Sequence, residues 1–389
     1  MKLFLSICLA FIQFSWLAAQ PMRVLFVGNS YTHYNNMPKL FENMAQSKGI
    51  RIEVTMDAKS SHTFEMHSKR PELYANIRSK KWDYVVLQGF SRELAQDKEV
   101  IDSSSIPYVK QLLDSIYSNN KCTNVLLYQT WGYDGGFQDD TLGISWTYQE
   151  MSDRIHQGYL HVSEIFNLTI VPVGKVWETI KENNPQINLY QPDKQHPSMA
   201  GSYLAASCFY AALFKTEPNI NFIASLDRKQ AEYIQEVAGT VVLLNKQRYK
   251  INQNTVEIDI RLNPENKKVV YLNALYPNAK SVIWEFGDGN ISTSSNPTHT
   301  YAAAGLYNVC MTIDDNCGTV QVCNTIFVNE MNVFSKTNTE IGTQVITTAD
   351  GNIMLIGTSR NHAKPTGEIG DQDILVQHVD VYGNEIWTK

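Results

Sequence analysis

Between Pro21 and about residue 245, short apolar runs alternate with stretches in which apolar residues recur every three or four positions. Val24-Leu25-Phe26-Val27, Tyr84 to Leu87, Val125 to Tyr128 and Leu168 to Val173 are runs short enough for buried strands, and Ile50, Ile52, Val54 and Met56 alternate as a half-buried strand would. Helical spacing is evident near 106–118, 147–166 and 198–214, and Asp227 to Lys246 reads as a last amphipathic helix. Five strands separated by helices predict an α/β domain with a doubly wound parallel sheet. From about Val256 the pattern changes, and β-branched strands punctuated by turns replace the helical period.

Composition narrows the class. The 389 residues exceed one ordinary domain, 43% are hydrophobic, and the net charge of −6 without a basic cluster argues against a nucleic-acid partner. Met1-Lys2, the apolar run Leu3 to Leu17 and Ala18-Ala19 read as a signal peptide over 1–19, cut after the Leu17-x-Ala19 pattern. No later run is long enough to span a membrane. Leu5-Ser6-Ile7-Cys8 comes too early and has too few small residues for a lipobox, and Cys8 leaves with the leader. The expectation is a soluble secreted protein, periplasmic, extracellular or at the cell surface of a bacterium.

Two short motifs carry the candidate chemistry. Gly28-Asn29-Ser30-Tyr31-Thr32 follows the first apolar run and precedes a helix marked by Asn36, Pro38, Leu40, Phe41, Met44 and Ala45, so a strand, a turn and a helix would expose Ser30 at the carboxyl end of the first strand. Asp193-Lys194-Gln195-His196-Pro197 spaces a carboxylate and an imidazole so that one loop or turn presents both on one side. A serine hydroxyl is a weak nucleophile at neutral pH. It needs an imidazole to take its proton and a carboxylate to fix that imidazole's tautomer. Ser30, His196 and Asp193 are therefore the candidate catalytic residues.

These blocks, with Trp82-Asp83-Tyr84-Val85-Val86-Leu87-Gln88-Gly89-Phe90-Ser91, Tyr128-Gln129-Thr130-Trp131-Gly132 and Ile170-Val171-Pro172-Val173-Gly174 between them, resemble the SGNH/GDSL hydrolase superfamily over residues 21 to 245. The match is to a secreted bacterial branch whose first block is Gly-Asn-Ser. The resemblance implies a flavodoxin-like domain over 20–248, serine ester hydrolysis and an oxyanion hole. In the superfamily a second-block glycine offers a backbone amide to that hole and a third-block asparagine offers its side chain. Here the second stretch is Ser60-Ser61-His62-Thr63-Phe64-Glu65-Met66-His67, without glycine, and Gln88 is the amide side chain at the third strand's end. The implied donors are the amides of Ser30 and Ser61 and the side chain of Gln88.

Other residues in these blocks have plainer readings. His33, His62 and His67 read as satisfied or surface histidines, and their irregular spacing without a matching carboxylate set gives no metal-ligand signature. No metal or cofactor is expected. Trp82 and Trp131 read as core or rim aromatics, with Trp131 able to line the cleft after the fourth strand. Cys122 and Cys208 read as buried apolar residues.

In the second half, Trp284-Glu285-Phe286-Gly287-Asp288-Gly289, Pro297-Thr298-His299-Thr300-Tyr301 and Gly305-Leu306-Tyr307-Asn308-Val309 resemble a PKD domain over 254–330. That implies an immunoglobulin-like β-sandwich, with Tyr301 and Tyr307 in or near its core and a spacer or a weak glycan- or protein-binding role. Cys310 and Cys323 are symmetric about a turn near Asn316-Cys317, so a hairpin would set them opposite each other for a disulfide. Residues 333–389 resemble one β-propeller-type repeat of about four short strands, with turns at Asp350-Gly351 and Tyr382-Gly383-Asn384. A single blade lacks a neighbour for its second face, so the chain is expected to be a fragment of a longer protein.

The combined expectation is a secreted serine esterase acting on an acylated small molecule or polysaccharide, by preference an acyl group on a carbohydrate. The alternatives are a lipid or thioester hydrolase and a catalytically silent glycan-binding or adhesive protein.

Overall fold

The structure is a computed structural model, and it describes residues 20–251, 257–263, 266, 268–276, 279–315, 317–328, 339–347, 353–360, 372–379 and 385–388. The expected signal peptide and the turns at Asn316, Asp350-Gly351 and Tyr382-Gly383-Asn384 lie outside the described residues. The chain divides into two units, 1–253 and 254–389.

The first unit runs β1 (Met22–Gly28), α1 (Ser30–His33), a 3-10 turn (Tyr34–Asn36), α2 (Met37–Ser47), β2 (Ile52–Ala58), α3 (Phe64–Ser68), α4 (Pro71–Ser79) and β3 (Tyr84–Leu87). It continues through a 3-10 turn (Glu93–Ala95), α5 (Lys98–Ser104), α6 (Ile106–Asn119), β4 (Asn124–Tyr128), a hairpin of β5 (Phe137–Asp139) and β6 (Ile144–Trp146), α7 (Tyr148–Phe166), β7 (Thr169–Val171), α8 (Val173–Asn183), α9 (Met199–Phe214) and α10 (Arg228–Leu244). Five strands pair in parallel in the order β2-β1-β3-β4-β7. This is the doubly wound α/β fold that the SGNH/GDSL resemblance implies, with the strand order reversing beside β1.

The central strands explain themselves physically. Val24, Leu25 and Phe26 of β1 and Val85 and Val86 of β3 are fully buried, because helices cover both faces of the sheet and leave no solvated side to alternate with. Helix α9 is buried nearly all round, and its small residues Ala200, Gly201, Ala205 and Ala206 let it lie close against its neighbours. Cys208 of α9 is buried with a free thiol. Cys122 departs from the sequence reading: it is half-buried in the turn before β4 and disulfide-bonded rather than apolar core.

The second unit holds two antiparallel sheets, built from β8 (Glu257–Leu262), β9 (Val269–Leu275), β10 (Ser281–Glu285), β11 (Ile291–Ser292), β12 (Thr298–Thr300), β13 (Gly305–Asp315) and β14 (Gly318–Val328). Their orders are β11-β10-β13-β14 and β12-β9-β8, and the sandwich core includes Trp284, Tyr301, Val309 and Met311. His299 stacks on Phe286 at 4.0 Å and meets Asp288 at 2.7 Å, which ties the Gly287-Asp288-Gly289 turn to β12. Cys310 and Cys323 face each other across β13 and β14 and are joined by a disulfide. Beyond the sandwich, β15 (Thr339–Thr347), β16 (Ile353–Arg360), β17 (Gln372–Val379) and β18 (Glu385–Thr388) form a four-stranded antiparallel meander.

Candidate active site

The first motif forms a turn that cannot tolerate a side chain at its start. A Cβ on Gly28 would lie 2.2 Å from Thr32 Oγ1 and 2.7 Å from Gln88 Oε1, so only glycine lets β1 run this close to α1. Asn29 caps α1 by accepting from the Tyr31 amide at 3.1 Å, while its Nδ2 donates to the Gly89 carbonyl at 3.0 Å and the His62 carbonyl at 3.4 Å. One buried side chain thus holds together the loops after β1, β2 and β3. Ser30 comes next, half-buried as the first residue of α1.

The second motif is a loop shaped by its own aspartate. Asp193 Oδ1 accepts from the Gln195 and His196 amides, each at 2.9 Å, and Lys194 takes φ +62° to let the chain turn back. Asp193 Oδ2 lies 2.6 Å from His196 Nδ1, and His196 Nε2 lies 2.9 Å from Ser30 Oγ. Partial burial works against the Asp193 charge, but the Gln195 and His196 amides and the imidazole outweigh it and hold the carboxyl below the usual aspartate range. An imidazole whose Nδ1 proton rests on a carboxylate offers its Nε2 lone pair to the serine hydroxyl.

Residues outside the two motifs set this geometry. Asn35, at φ +51°, donates from Nδ2 to the carbonyls of Pro197 and Ser198 and to Ser202 Oγ at 2.9–3.1 Å, which staples the serine turn to the histidine loop. Tyr34 stacks on the His196 ring at 4.3 Å. Trp131 donates from Nε1 to the Gln195 carbonyl at 3.1 Å and lies in a stack between Tyr31, at 4.4 Å, and Trp177, at 3.9 Å. Trp131 is fully buried, so it supports the loop from beneath and does not line the cleft. Nothing in the one-dimensional pattern marks these roles, apart from the consecutive asparagines Asn35-Asn36, a residue type that tolerates positive φ.

The three implied oxyanion donors fare differently. Gln88 is fully buried, with Oε1 accepting from the Asn29 amide and Thr32 Oγ1 at 2.9 Å and Nε2 donating to the Gly89 carbonyl. It braces the scaffold beneath the turn and presents no donor to the cleft, which removes it from the donor set. Ser61 is exposed and adopts φ +60°, the left-handed conformation that a glycine would take freely, at a strain of about 1 kcal/mol. Among the described residues, neither the Ser30 nor the Ser61 amide has a hydrogen-bond partner. Both are open to a ligand oxygen.

The neighbouring histidines are engaged. His33 Nε2 lies 2.9 Å from Ser60 Oγ, and burial together with the nearby His196 lowers its pKa. His67 is fully buried; burial, Arg70 and His62 bring its pKa down to about 4. Arg70 Nη1 bridges Asp57 at 2.7 Å and His67 Nδ1 at 3.3 Å. Among the described residues no group of three His, Cys, Asp or Glu side chains is placed to hold a metal ion, and no helix is long and apolar enough to cross a membrane.

Comparison with known proteins separates the two units. A DUF4886 family protein from Bacteroides uniformis superposes with a TM-score of 0.51 at 16% identity, covering 58% of this chain and 95% of that one, and so shares the fold. An acetyl xylan esterase overlaps 49% of this chain and 100% of its own at 16% identity and a TM-score of 0.40, too little to argue from. Residues 274–329 match the PKD domain family. A microbial collagenase from Vibrio alginolyticus is 39% identical over 62 residues, which is 15% of this chain and 8% of the collagenase. Collagenase ColA of Bacillus cereus is 50% identical over 38 residues, or 4% of its length, so the chain spans only a small part of both curated relatives.

Proposed function

We propose that the first unit is a serine ester hydrolase of SGNH type, with Ser30 as nucleophile, His196 as general base and then acid, and Asp193 as the group that orients it. The observation that carries this reading is the unbroken chain from Asp193 Oδ2 through the imidazole to Ser30 Oγ, at 2.6 and 2.9 Å. His196 takes the Ser30 proton as Oγ attacks the ester carbonyl, the Ser30 and Ser61 amides receive the developing oxyanion, and the imidazolium returns the proton to the departing alcohol. Water, activated by the same imidazole, then releases the acid from the acyl-serine.

The substrate class we propose is a small acyl group on a carbohydrate. The Asp193 side chain is 46% exposed and Lys194, Gln195, Ser60 and Ser61 are exposed, so the site opens to solvent on both sides of Ser30. Such a site suits a short acyl group projecting from a bulky alcohol. The PKD domain, a stretch similar to a microbial collagenase and the expected leader over 1–19 fit export to a polymeric substrate, with the PKD domain making glycan or protein contact. A panel of p-nitrophenyl esters of rising acyl length, run beside acetylated glycans, tests the reading. Acid release should be fastest for acetyl and fall with chain length. Turnover of none of these substrates would overturn it, and a preference for long chains would replace the carbohydrate by a lipid.

A further inference from the structure

The site contains a carboxylate that the reaction does not consume. Glu93 begins the 3-10 turn after β3, and its carboxylate accepts from the Phe64 amide at 3.0 and 3.2 Å, the Phe90 amide at 2.9 Å and Ser105 Oγ at 3.3 Å. The two amides belong to different loops. Phe64 opens α3, three residues after Ser61, and Phe90 follows Gly89, whose carbonyl takes the Asn29 side chain. Both loops flank Ser30, and they pack tightly together: an added Cβ on Gly89 would meet Glu93 Oε2 and the Phe64 ring at 2.7 Å.

We propose that Glu93 is a positioning residue for ester cleavage, fixing the Ser61 amide relative to Ser30 by clamping the Phe64 and Phe90 amides with one carboxylate. The inference rests on the esterase reading above. Ser61 needs such a clamp because its left-handed backbone is strained and its side chain makes no described hydrogen bond. A single carboxylate with two amide donors and one hydroxyl donor has strong, charge-assisted bonds on both oxygens. Burial raises the Glu93 pKa to about 7; the Phe90 and Phe64 amides and Ser105 oppose that rise, and Glu65 of α3 adds to it. Tyr159 of α7 faces the same carboxylate. Protonation of the clamp therefore falls near neutral pH.

Glu93→Gln is the informative variant. Oε2 accepts from Phe90 at 2.9 Å and from Phe64 at 3.2 Å, but the nearer acceptor for Phe64 is Oε1 at 3.0 Å, so a carboxamide with its oxygen on Phe90 sets its nitrogen against the Phe64 amide. Like the protonated carboxyl, it keeps the Phe90 bond and weakens the Phe64 bond, but it does not titrate. Glu93→Ala removes both. With p-nitrophenyl acetate, E93A should lose at least tenfold in kcat with KM within threefold, and E93Q kcat should fall between those of E93A and the parent. The acid limb of log kcat/KM should have a slope above 1 in the parent and 1 in E93Q. Amide hydrogen exchange of the peptides bearing Phe64 and Phe90 should be faster in E93A than in the parent. E93A kcat within twofold of the parent, or unchanged exchange at both amides, would overturn the proposal. Where E93A does not fold, E93Q decides: an acid limb as steep as the parent's would overturn it. The exchange measurement is independent of turnover, so a parent that cleaves no ester would defeat the esterase reading and leave the clamp to be judged by exchange alone.

Discussion

Replacing Asp193 by asparagine changes one heavy atom and should nearly abolish turnover. Oδ1 of Asp193 accepts the Gln195 and His196 amides, each at 2.9 Å, so a carboxamide at this position must keep its oxygen there. Its nitrogen then takes the place of Oδ2, 2.6 Å from His196 Nδ1, and brings a donor where the carboxylate had an acceptor. Nδ1 must become the acceptor and the ring proton moves to Nε2, the atom that should receive the Ser30 proton. The side chain is 46% exposed, so the lost charge alone is partly screened by solvent. The tautomer change is not screened. The expected loss is about 10⁴-fold in kcat, equivalent to about 5.5 kcal/mol of barrier. Because the asparagine keeps both loop amides satisfied, the thermal midpoint should move by no more than about 2 °C, a shift of about 0.5–1 kcal/mol. The assay is steady-state hydrolysis of p-nitrophenyl acetate beside a melting curve on the same sample. A D193N protein that is folded and within tenfold of the parent would refute the tautomer argument.

Two further predictions follow from buried groups. Gln88→Leu leaves the Asn29 amide and Thr32 hydroxyl without their buried acceptor, so stability by urea unfolding should fall by about 3 kcal/mol; unchanged stability with a large loss of kcat would return Gln88 to the oxyanion hole. His67 and His156 are both buried, with pKa values brought down to about 4, by burial first and then by Arg70 or Arg248. Their neutral forms favour the folded state, so this contribution is present above the unfolded histidine pKa of about 6.5 and is lost as pH falls from there towards 4. Glu93 has the opposite sign, since its raised pKa makes it most favourable below the unfolded glutamate range and less so as pH rises through about 7. The urea midpoint should drop on acidification from pH 6.5 to 4, and the drop should be smaller in His156→Gln; an equal drop would contradict the burial argument.

What the sequence made legible was whatever depends on period and spacing. The expected helices near 106–118, 147–166 and 198–214 correspond to α6, α7 and α9, because each buries a stripe or a whole surface and so prints its burial into the chain. The hairpin β5–β6 was missed, since three-residue strands carry no usable period. The Asp193-to-His196 spacing made their pairing legible, for a side chain and an amide three residues on meet in any tight turn. Gln88 shows the limit. Its residue type and position matched a donor role, yet the direction of a side chain at a strand end is set by Asn29 and Thr32, which are 59 and 56 residues away. The roles of Asn35, Trp131 and Glu93 were invisible for the same reason: they act on backbone groups 162, 64 and 29 residues away, and backbone groups have no sequence signature.

The central claim is that Ser30 is the nucleophile. Incubating the protein with a serine-reactive fluorophosphonate and reading intact mass, followed by peptide mapping, tests it directly. The account predicts one adduct on the peptide containing Ser30, absent from Ser30→Ala, with ester hydrolysis lost in step with labelling. Hydrolysis that persists after full labelling, or an adduct that maps to another residue and survives in Ser30→Ala, would contradict it.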